Sequence, residues 1–386
     1  SIHSNFWNYL FPIIAASLIC TILFNAPMSI MLTVCLGIFA GIATDFDFSL
    51  AIAYILGGIF STYMVSKVSQ RSAVMRAGFI SSLVLAFLFL TINLIGGEIM
   101  TIALYTVLGV ANGIICAIIA IGLLPFIEST FNIVTAMRLL ELSNTDQPLL
   151  KKLLMSAPGT YNHSILVAHL AESAAKSIGA DSLLVKVAAL YHDLGKMKRP
   201  EYFCENQKDI ENIHDRLNPS MSRHIISNHI KDGLEMAAKN KIPRKVLNII
   251  SQHHGNSIIA YFYEKQKGRG TVTGSSPDGL KEHFRYPAKK PQSKEAAILM
   301  LADSTEAAVR SIDKMTPKKI EQMVSDIFED RLKDGQLNET NMTIKEINIV
   351  KNTLFDGLLA IYHSRLSYTE SNSKAKTGLE AKVEAK

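Results

Sequence analysis

Between Pro158 and Asp303 the sequence places His163, the pair His192-Asp193, His229, the pair His253-His254, and Asp303. Five imidazoles and two carboxylates in one region, with no thiolate pair nearby, point to a polynuclear metal site. A carboxylate has two oxygens and can bridge two ions, whereas an imidazole supplies nitrogen to one. Adjacent residues on a helix point about 100° apart, so His192 and Asp193 can serve one centre only near a helix end. Gly195 predicts that end, and Gly255 does the same after His253-His254. His163 is expected just before a helix and Asp303 on a late one, so the ligands converge only on folding, as in helix-bundle metal sites. His3, His169, His214, His283 and His363 stand alone and read as core or surface residues. His224 lies five residues before His229 and faces another way on the same helix.

The elements that must position these residues divide sharply by composition. Residues 1–127 contain Asp45, Asp47, Lys67, Arg71, Arg76 and Glu98 as their only Asp, Glu, Lys or Arg. The formal charge of +6 therefore falls on residues 128–386. Apolar segments at roughly 6–24, 27–44, 48–66, 73–95 and 99–127 approach the about 20 residues of a membrane span. The last is long, and reads either as a tilted span or as one broken near Asn112-Gly113. Lys67, Arg71 and Arg76 after the third span, and Arg138, Lys151 and Lys152 after the fifth, place both groups in the cytoplasm by the positive-inside bias. The expected location is the cell membrane, multi-pass, with a cytoplasmic head. Starting at Ser1 rather than methionine, the sequence reads as part of a longer or processed chain.

Residues 128–157 form a helical connector, with one short helix from Ala136 to Leu142 and another beginning near Leu149. Such a segment can carry strain from membrane to head or serve as a passive stalk. From Asn162 the pattern is helical: Leu166, Leu170, Ala174 and Ile178 share a face, and Asp181 caps the next helix. Further helices are expected near 219–231, 242–253, 293–312, 316–333 and 343–365, with Pro243 in a first turn. No stretch alternates with period two, so the head is all-α, spanning 158–368. Residues 264–292 read as a mobile Gly/Ser/Pro/Lys-rich loop, and 369–386 as a disordered tail.

His163, His192-Asp193 and Asp303 resemble the ordered H…HD…D signature of the HD phosphohydrolase superfamily. The resemblance extends to its membrane-anchored PgpH-type branch, the 7TM-HD proteins. It runs through Arg138-Leu139-Leu140-Glu141-Leu142, Ala157-Pro158-Gly159-Thr160-Tyr161, Tyr191-His192-Asp193-Leu194-Gly195-Lys196 and Phe203-Cys204-Glu205-Asn206-Gln207. It continues in Gln252-His253-His254-Gly255, Phe284-Arg285-Tyr286-Pro287 and Leu301-Ala302-Asp303, covering residues 120–368 almost continuously. Ala288 departs from the glycine usual in that family. The family also carries a large extracytoplasmic domain upstream of the spans.

The resemblance implies cleavage of cyclic di-AMP to 5′-pApA at a dinuclear site. One metal would take His163, His192, Asp193 and Asp303; the other would share Asp193 and take His229, His253 and His254. The sulfur-free set suits two divalent ions, manganese or iron, with zinc open. They would activate a water or hydroxide and hold the scissile phosphate against it. Lys196 is the candidate for stabilising phosphate charge, or else a solvated lysine at a helix end. Arg310 either meets the second phosphate or an adenine, or pairs with Glu306 four residues back.

Three other readings stay open. A cyclic di-GMP phosphodiesterase of the HD-GYP type lacks support, because Asn256-Ser257-Ile258 follows Gly255 where Gly-Tyr-Pro would be needed. A phosphohydrolase acting on another nucleotide shares the HD signature. A receptor that binds a cyclic dinucleotide without cleaving it would normally have lost a ligand. The basic excess suits an anionic substrate or the lipid bilayer surface and is too diffuse for duplex nucleic acid. Cys20, Cys35, Cys116 and Cys204 form no CxxC pair and fit a reducing compartment for the head. A homodimer is left open.

Overall fold

The computed structural model describes residues 6–66, 70–94, 97–207, 212–269 and 277–362. His3, Lys67, His363, residues 270–276 of the expected loop and the expected tail at 369–386 lie outside them. The chain divides into two compact units, Ser1–Glu141 and Leu142–Lys386. Both are helical, and among the described residues the only isolated β contact is the bridge between Ile258 and Arg285.

The first unit holds α1 (Ile13–Leu23, after a 3-10 turn at Phe6–Leu10), α2 (Ala26–Ala43), α3 (Phe48–Val65), α4 (Arg71–Asn93) and α5 (Ile99–Phe131). With that turn counted into the first, all five are long and apolar enough to cross a membrane. Large apolar side chains such as Phe39, Phe79, Phe87 and Ile118 face outward, while small and hydroxylated ones are buried. Ser17 and Thr33 share a hydrogen bond of 2.6 Å, and Ser29 and Thr62 one of 2.9 Å, joining α1, α2 and α3. This is how helices associate where lipid removes the hydrophobic drive between them.

α5 runs unbroken through Asn112-Gly113, so of the two alternatives the broken span is not found. Asn112 Nδ2 instead donates to the carbonyls of Tyr9 and Phe11, at 2.8 and 3.1 Å. Gly109, Gly113 and Ala117, four residues apart, lie against Ala86, Ser82 and Gly78 of α4, where an added Cβ on any of these glycines would collide. Gly113→Leu is therefore expected to lower the thermal unfolding midpoint in detergent, at a cost of about 3 kcal/mol. Gly122→Leu, whose Cβ would meet nothing within 4 Å, should leave the midpoint unchanged.

α6 (Ala136–Ser143) contains the boundary between the units. The second unit continues with α7 (Pro148–Ser156), α8 (Pro158–Ser177), α9 (Ser182–Tyr191), α10 (Pro219–Lys239) and α11 (Arg244–Ile250). It closes with α12 (Ala260–Gly268), α13 (Pro277–His283), α14 (Lys294–Arg310), α15 (Pro317–Lys333) and a helix over 344–362, α16. Asp181 caps α9 by accepting from Leu184 N at 3.0 Å, and Ser293 caps α14 by accepting from Ala296 N at 3.2 Å. Every residue from Ala296 to Asp303 is buried, which makes α14 the axis of this unit.

Three local expectations are corrected. α8 starts at Pro158, whose fixed φ and missing donor suit a first turn, so His163 sits inside the helix rather than before it. Pro243 is the residue before α11, with an extended ψ of 147°. The stretch expected as loop from 264 carries the end of α12 and then α13. Composition misled there because Ile259, Phe262, Leu280 and Phe284 form a small separate core that holds both helices.

Candidate metal centre

α9 stops at Tyr191, His192 keeps helical angles, and Asp193 departs to φ −103° and ψ 18°. That single change brings the carboxylate into the space of the neighbouring imidazole, with His192 Nε2 3.2 Å from Asp193 Oδ2. α8 supplies His163, α10 supplies His229, the turn at 251–256 supplies His253 and His254, and α14 supplies Asp303. Gly255, at φ +55°, allows that turn to close. Gly195 does not cap α9. It lies in a 3-10 turn, Leu194–Lys198, packed so closely on α10 that a Cβ would overlap the carbonyl oxygen of His229.

Four imidazoles are held through Nδ1. In His192, His229 and His253 that nitrogen donates to the carbonyl three residues back, at 2.7, 2.6 and 2.6 Å. In His163 it meets the buried Glu306 carboxylate. Each bond fixes the tautomer and leaves Nε2 available to a cation. Those Nε2 atoms surround Asp193 in two sets. On the Oδ2 side stand His192 and, at 3.7 Å, His163, with Asp303 Oδ1 2.9 Å from His163 Nε2. On the Oδ1 side stand His229 at 3.4 Å and His253 at 4.0 Å. His254 offers Nδ1, 3.6 Å from Asp303 Oδ2, and its ring stacks on Tyr286 at 4.3 Å.

Burial opposes charge on all these groups, and neighbours decide which carry it anyway. It would raise the Asp193 carboxyl, yet His192 and Lys196 hold it well below the usual range. The hydrogen bond from His163 and the nearby His192 imidazole do the same for Asp303 against its burial. Burial, reinforced by the charge on His192, pulls His253 down to about 3. Burial and His253 take His254 well below the ordinary imidazole value, and burial lowers His229. Around the carboxylates the balance reverses: Asp193 outweighs burial and lifts His192 to about 10, and Asp303 and Glu306 raise His163.

These residues fit a bound cation. His192 Nε2 and both Asp193 oxygens are buried without a hydrogen-bond partner, a situation costing about 1–3 kcal/mol per group. Lys196 Nζ lies 2.7 Å from Asp193 Oδ2, in ion-pair contact but outside hydrogen-bond geometry. The triplets His163-His192-Asp303, His192-Asp193-His253 and His229-His253-His254 each bring their ligand atoms within 4.8 Å of one another. All seven residues singled out in the sequence thus meet at one place.

Lys196 is not a solvated lysine. Its ammonium is buried between Asp193 and Glu205, 2.7 Å from each, and both raise its pKa against the effect of burial. Arg310 lies 3.5 Å from Glu306 and lines a cavity of about 380 Å³ together with His163, Asn162, Glu205 and Tyr362. Sequence reasoning missed Glu205 and Tyr286, and gave Glu306 no role at the centre. Glu306 follows Asp303 by three residues, so helical spacing puts it on the same face. Glu205 has no periodic signal: a 3-10 turn, Cys204–Asn206, is fixed to α8 by Thr160, whose N–H donates to Asn206 Oδ1 at 3.1 Å. Burial would raise Glu205, but Lys196 outweighs it and holds the carboxyl at about 2. Tyr286 is set by Arg285, which reaches Asp334 at 2.8 Å and the Asn256 carbonyl at 2.7 Å. Glu306→Gln keeps an acceptor for His163 but removes the charge, and should weaken manganese affinity about tenfold in a metal titration.

An all-helical head carrying clustered His and Asp residues in the order H…HD…D, joined to five apolar helices, defines an HD-domain membrane protein. The family described as "7TM receptor with intracellular HD hydrolase" matches residues 1–135, and the HD domain matches residues 160–308. Two relatives are named cyclic-di-AMP phosphodiesterase PgpH. That of Bacillus subtilis (strain 168) is 42% identical over 380 residues, covering 95% of this chain and 52% of the relative. That of Listeria monocytogenes serotype 1/2a (strain 10403S) is 40% identical over 367 residues, covering 94% and 50%. A crystal structure of the L. monocytogenes PgpH HD domain in complex with cyclic di-AMP is 49% identical, with a TM-score of 0.53. The match covers 57% of this chain and 100% of that one. The chain belongs to the PgpH-type 7TM-HD family. It spans about half the length of the curated relatives it matches.

Proposed function

We propose that the chain is a membrane-anchored, metal-dependent phosphodiesterase that hydrolyses cyclic di-AMP to 5′-pApA. The observation that carries this reading is the placement of Asp193, whose two oxygens each face a different set of imidazole nitrogens. In this reading His163, His192, Asp193 and Asp303 hold one divalent cation, and Asp193, His229, His253 and His254 hold the second. Manganese or iron suits the nitrogen-and-oxygen donor set. Such a pair supplies an activated water and neutralises phosphate charge.

The chain's own residues orient the substrate. Lys196, kept in place by Glu205, presents a fixed positive charge beside the bridging carboxylate and stabilises charge on the attacked phosphate. Arg310, at the cavity it shares with His163, is placed for the second phosphate or an adenine. Water adds at phosphorus, the P–O3′ bond breaks as a proton of that water passes to O3′, and the phosphate remains on the 5′ oxygen. Residues 1–127 then form the membrane region, 128–157 the connector and 158–368 the HD domain, with Arg71 and Arg138 on the cytoplasmic side.

The test offers purified protein loaded with manganese a mixture of cyclic di-AMP, cyclic di-GMP and dATP. We expect pApA as the dominant product, no activity after chelation, and recovery when manganese is restored. Preferential breakdown of dATP, or binding of cyclic di-AMP without product at full metal occupancy, would reject the assignment.

A further inference from the structure

Five imidazoles meet in the cluster, and His254 is the one whose side chain is fixed differently. In His163, His192, His229 and His253 an Nδ1 contact to a carboxylate or a carbonyl sets the ring. His254 instead turns Nδ1 towards the cluster, 3.6 Å from Asp303 Oδ2 and outside hydrogen-bond distance. The second side-chain torsion of histidine is broad and roughly two-fold. A half-turn about it would exchange Nδ1 for a ring carbon and take the donor out of the cluster. Packing, not a hydrogen bond, must therefore hold this ring.

Tyr286 supplies the packing. Its ring lies on His254 with centroids 4.3 Å and planes 20° apart, while His253 meets the same imidazole at 42° and His229 edge-on at 82°. Among the described residues, Tyr286 is the one aromatic neighbour of His254 that is not itself a candidate ligand. Its backbone is tied to the histidine turn. Tyr286 N donates to the Ser257 carbonyl at 3.0 Å, and Ser257 Oγ donates to the His254 carbonyl at 2.7 Å. Arg285, one residue earlier, reaches the Asn256 carbonyl and forks onto Asp334, Nη1 to Oδ2 at 3.0 Å and Nη2 to Oδ1 at 2.8 Å. Past the end of α15, Gly335 at φ +64° turns the chain so that Gln336 is buried. The Gln336 amide donates to Asn256 Oδ1 at 2.8 Å and to Asp334 Oδ2 at 2.7 Å, and a Cβ on Gly255 would overlap its oxygen. Residues 253–257, 284–286 and 334–336 thus form one bracket, and the stack of Tyr286 on His254 is its outcome.

We propose that Tyr286 is a positioning residue for His254. Its ring plane, set by Ser257 and Arg285, fixes the torsion that aims His254 Nδ1 into the cluster, and so governs how tightly the cation on the Asp193 Oδ1 side is held. This rests on reading the cluster as the two-cation centre proposed above.

The test uses the full chain in detergent and counts bound manganese during a titration, which needs no substrate. Thermal unfolding of the metal-free chain is followed in parallel. Tyr286→Phe keeps the ring and should hold both ions as the unaltered chain does. Tyr286→Leu keeps much of the bulk but loses the ring plane, and should weaken one of the two ions about tenfold, with the other ion and the unfolding midpoint unchanged. His254→Ala should weaken the same ion, and Tyr286→Leu should add nothing in that background, because the ring it orients is gone. Where Tyr286→Leu lowers the midpoint, Tyr286→Met carries the same test. Unaltered affinity for both ions in Tyr286→Leu, equal losses in Tyr286→Phe and Tyr286→Leu, or losses that multiply with His254→Ala would overturn the proposal while leaving the metal centre standing. Failure of the unaltered chain to bind two manganese ions would remove the two-cation reading, and the proposal with it.

Discussion

Asp193→Ala is expected to abolish phosphodiesterase turnover, by about 10³-fold or more, equivalent to about 4 kcal/mol of barrier. The size follows from geometry. Asp193 Oδ2 faces His163 and His192, and Oδ1 faces His229 and His253. Asp303 meets the second set only through His254, at 3.6 Å, whereas Asp193 faces two imidazoles of each set, so its loss removes a shared donor from both proposed cations. The variant should still fold, because Lys196 keeps its 2.7 Å contact with Glu205 and is not left as an unpaired buried charge. Metal analysis should show manganese falling well below the unaltered chain, with the unfolding midpoint changing far less. His229→Ala offers the contrast, since it deletes a donor from the Oδ1 side alone and should retain more metal. Turnover by Asp193→Ala at the rate of the unaltered chain would sink the assignment of this residue.

The convergence of the seven His and Asp residues was legible because its signal is chemical: residue types that seldom occur together, ordered before glycines. The spans were legible because a bilayer demands long uncharged runs, and the five apolar helices match them within a few residues. What resisted reading was proximity between backbones. Asn112-Gly113 looked like a weak point in α5, yet Gly113 belongs with Gly109 to the face on which α4 packs. Glu205 stood in a short motif without periodicity, and its approach to Lys196 depends on a 3-10 turn held by Thr160 some 45 residues earlier. Tyr286 lay within the expected loop, whose Gly, Ser and Lys content masked a small apolar core. Lys196 read as the candidate for phosphate charge with a solvated lysine as the alternative, because burial of an ammonium follows from tertiary neighbours and not from the residues beside it.

Gly195 is the sharpest case, and Gly195→Ala is expected to disable the centre although glycine and alanine differ by one methyl group. The sequence presented Gly195 as a helix stop, a role in which alanine costs about 1 kcal/mol. In the folded chain its Cα faces α10, where a Cβ would overlap His229 O and lie 2.7 Å from Gly233 N. Both obstacles are backbone atoms inside a helix, so no side-chain rotation relieves the clash. Either α10 withdraws, taking His229 with it, or the turn Leu194–Lys198 withdraws, taking Asp193 and Lys196. Each alternative widens the 3.4 Å separation between His229 Nε2 and Asp193 Oδ1 beyond what a shared cation tolerates. The expected result is a stability loss of about 2–4 kcal/mol, with manganese affinity and turnover both falling by about 10²-fold or more. Gly268→Ala, whose Cβ meets nothing within 4 Å, should change neither. If Gly195→Ala bound manganese and turned over substrate like the unaltered chain, the turn and α10 would have slack between them. The close approach of Gly195 to Gly233 would then not be what holds the two ligand sets at bridging distance.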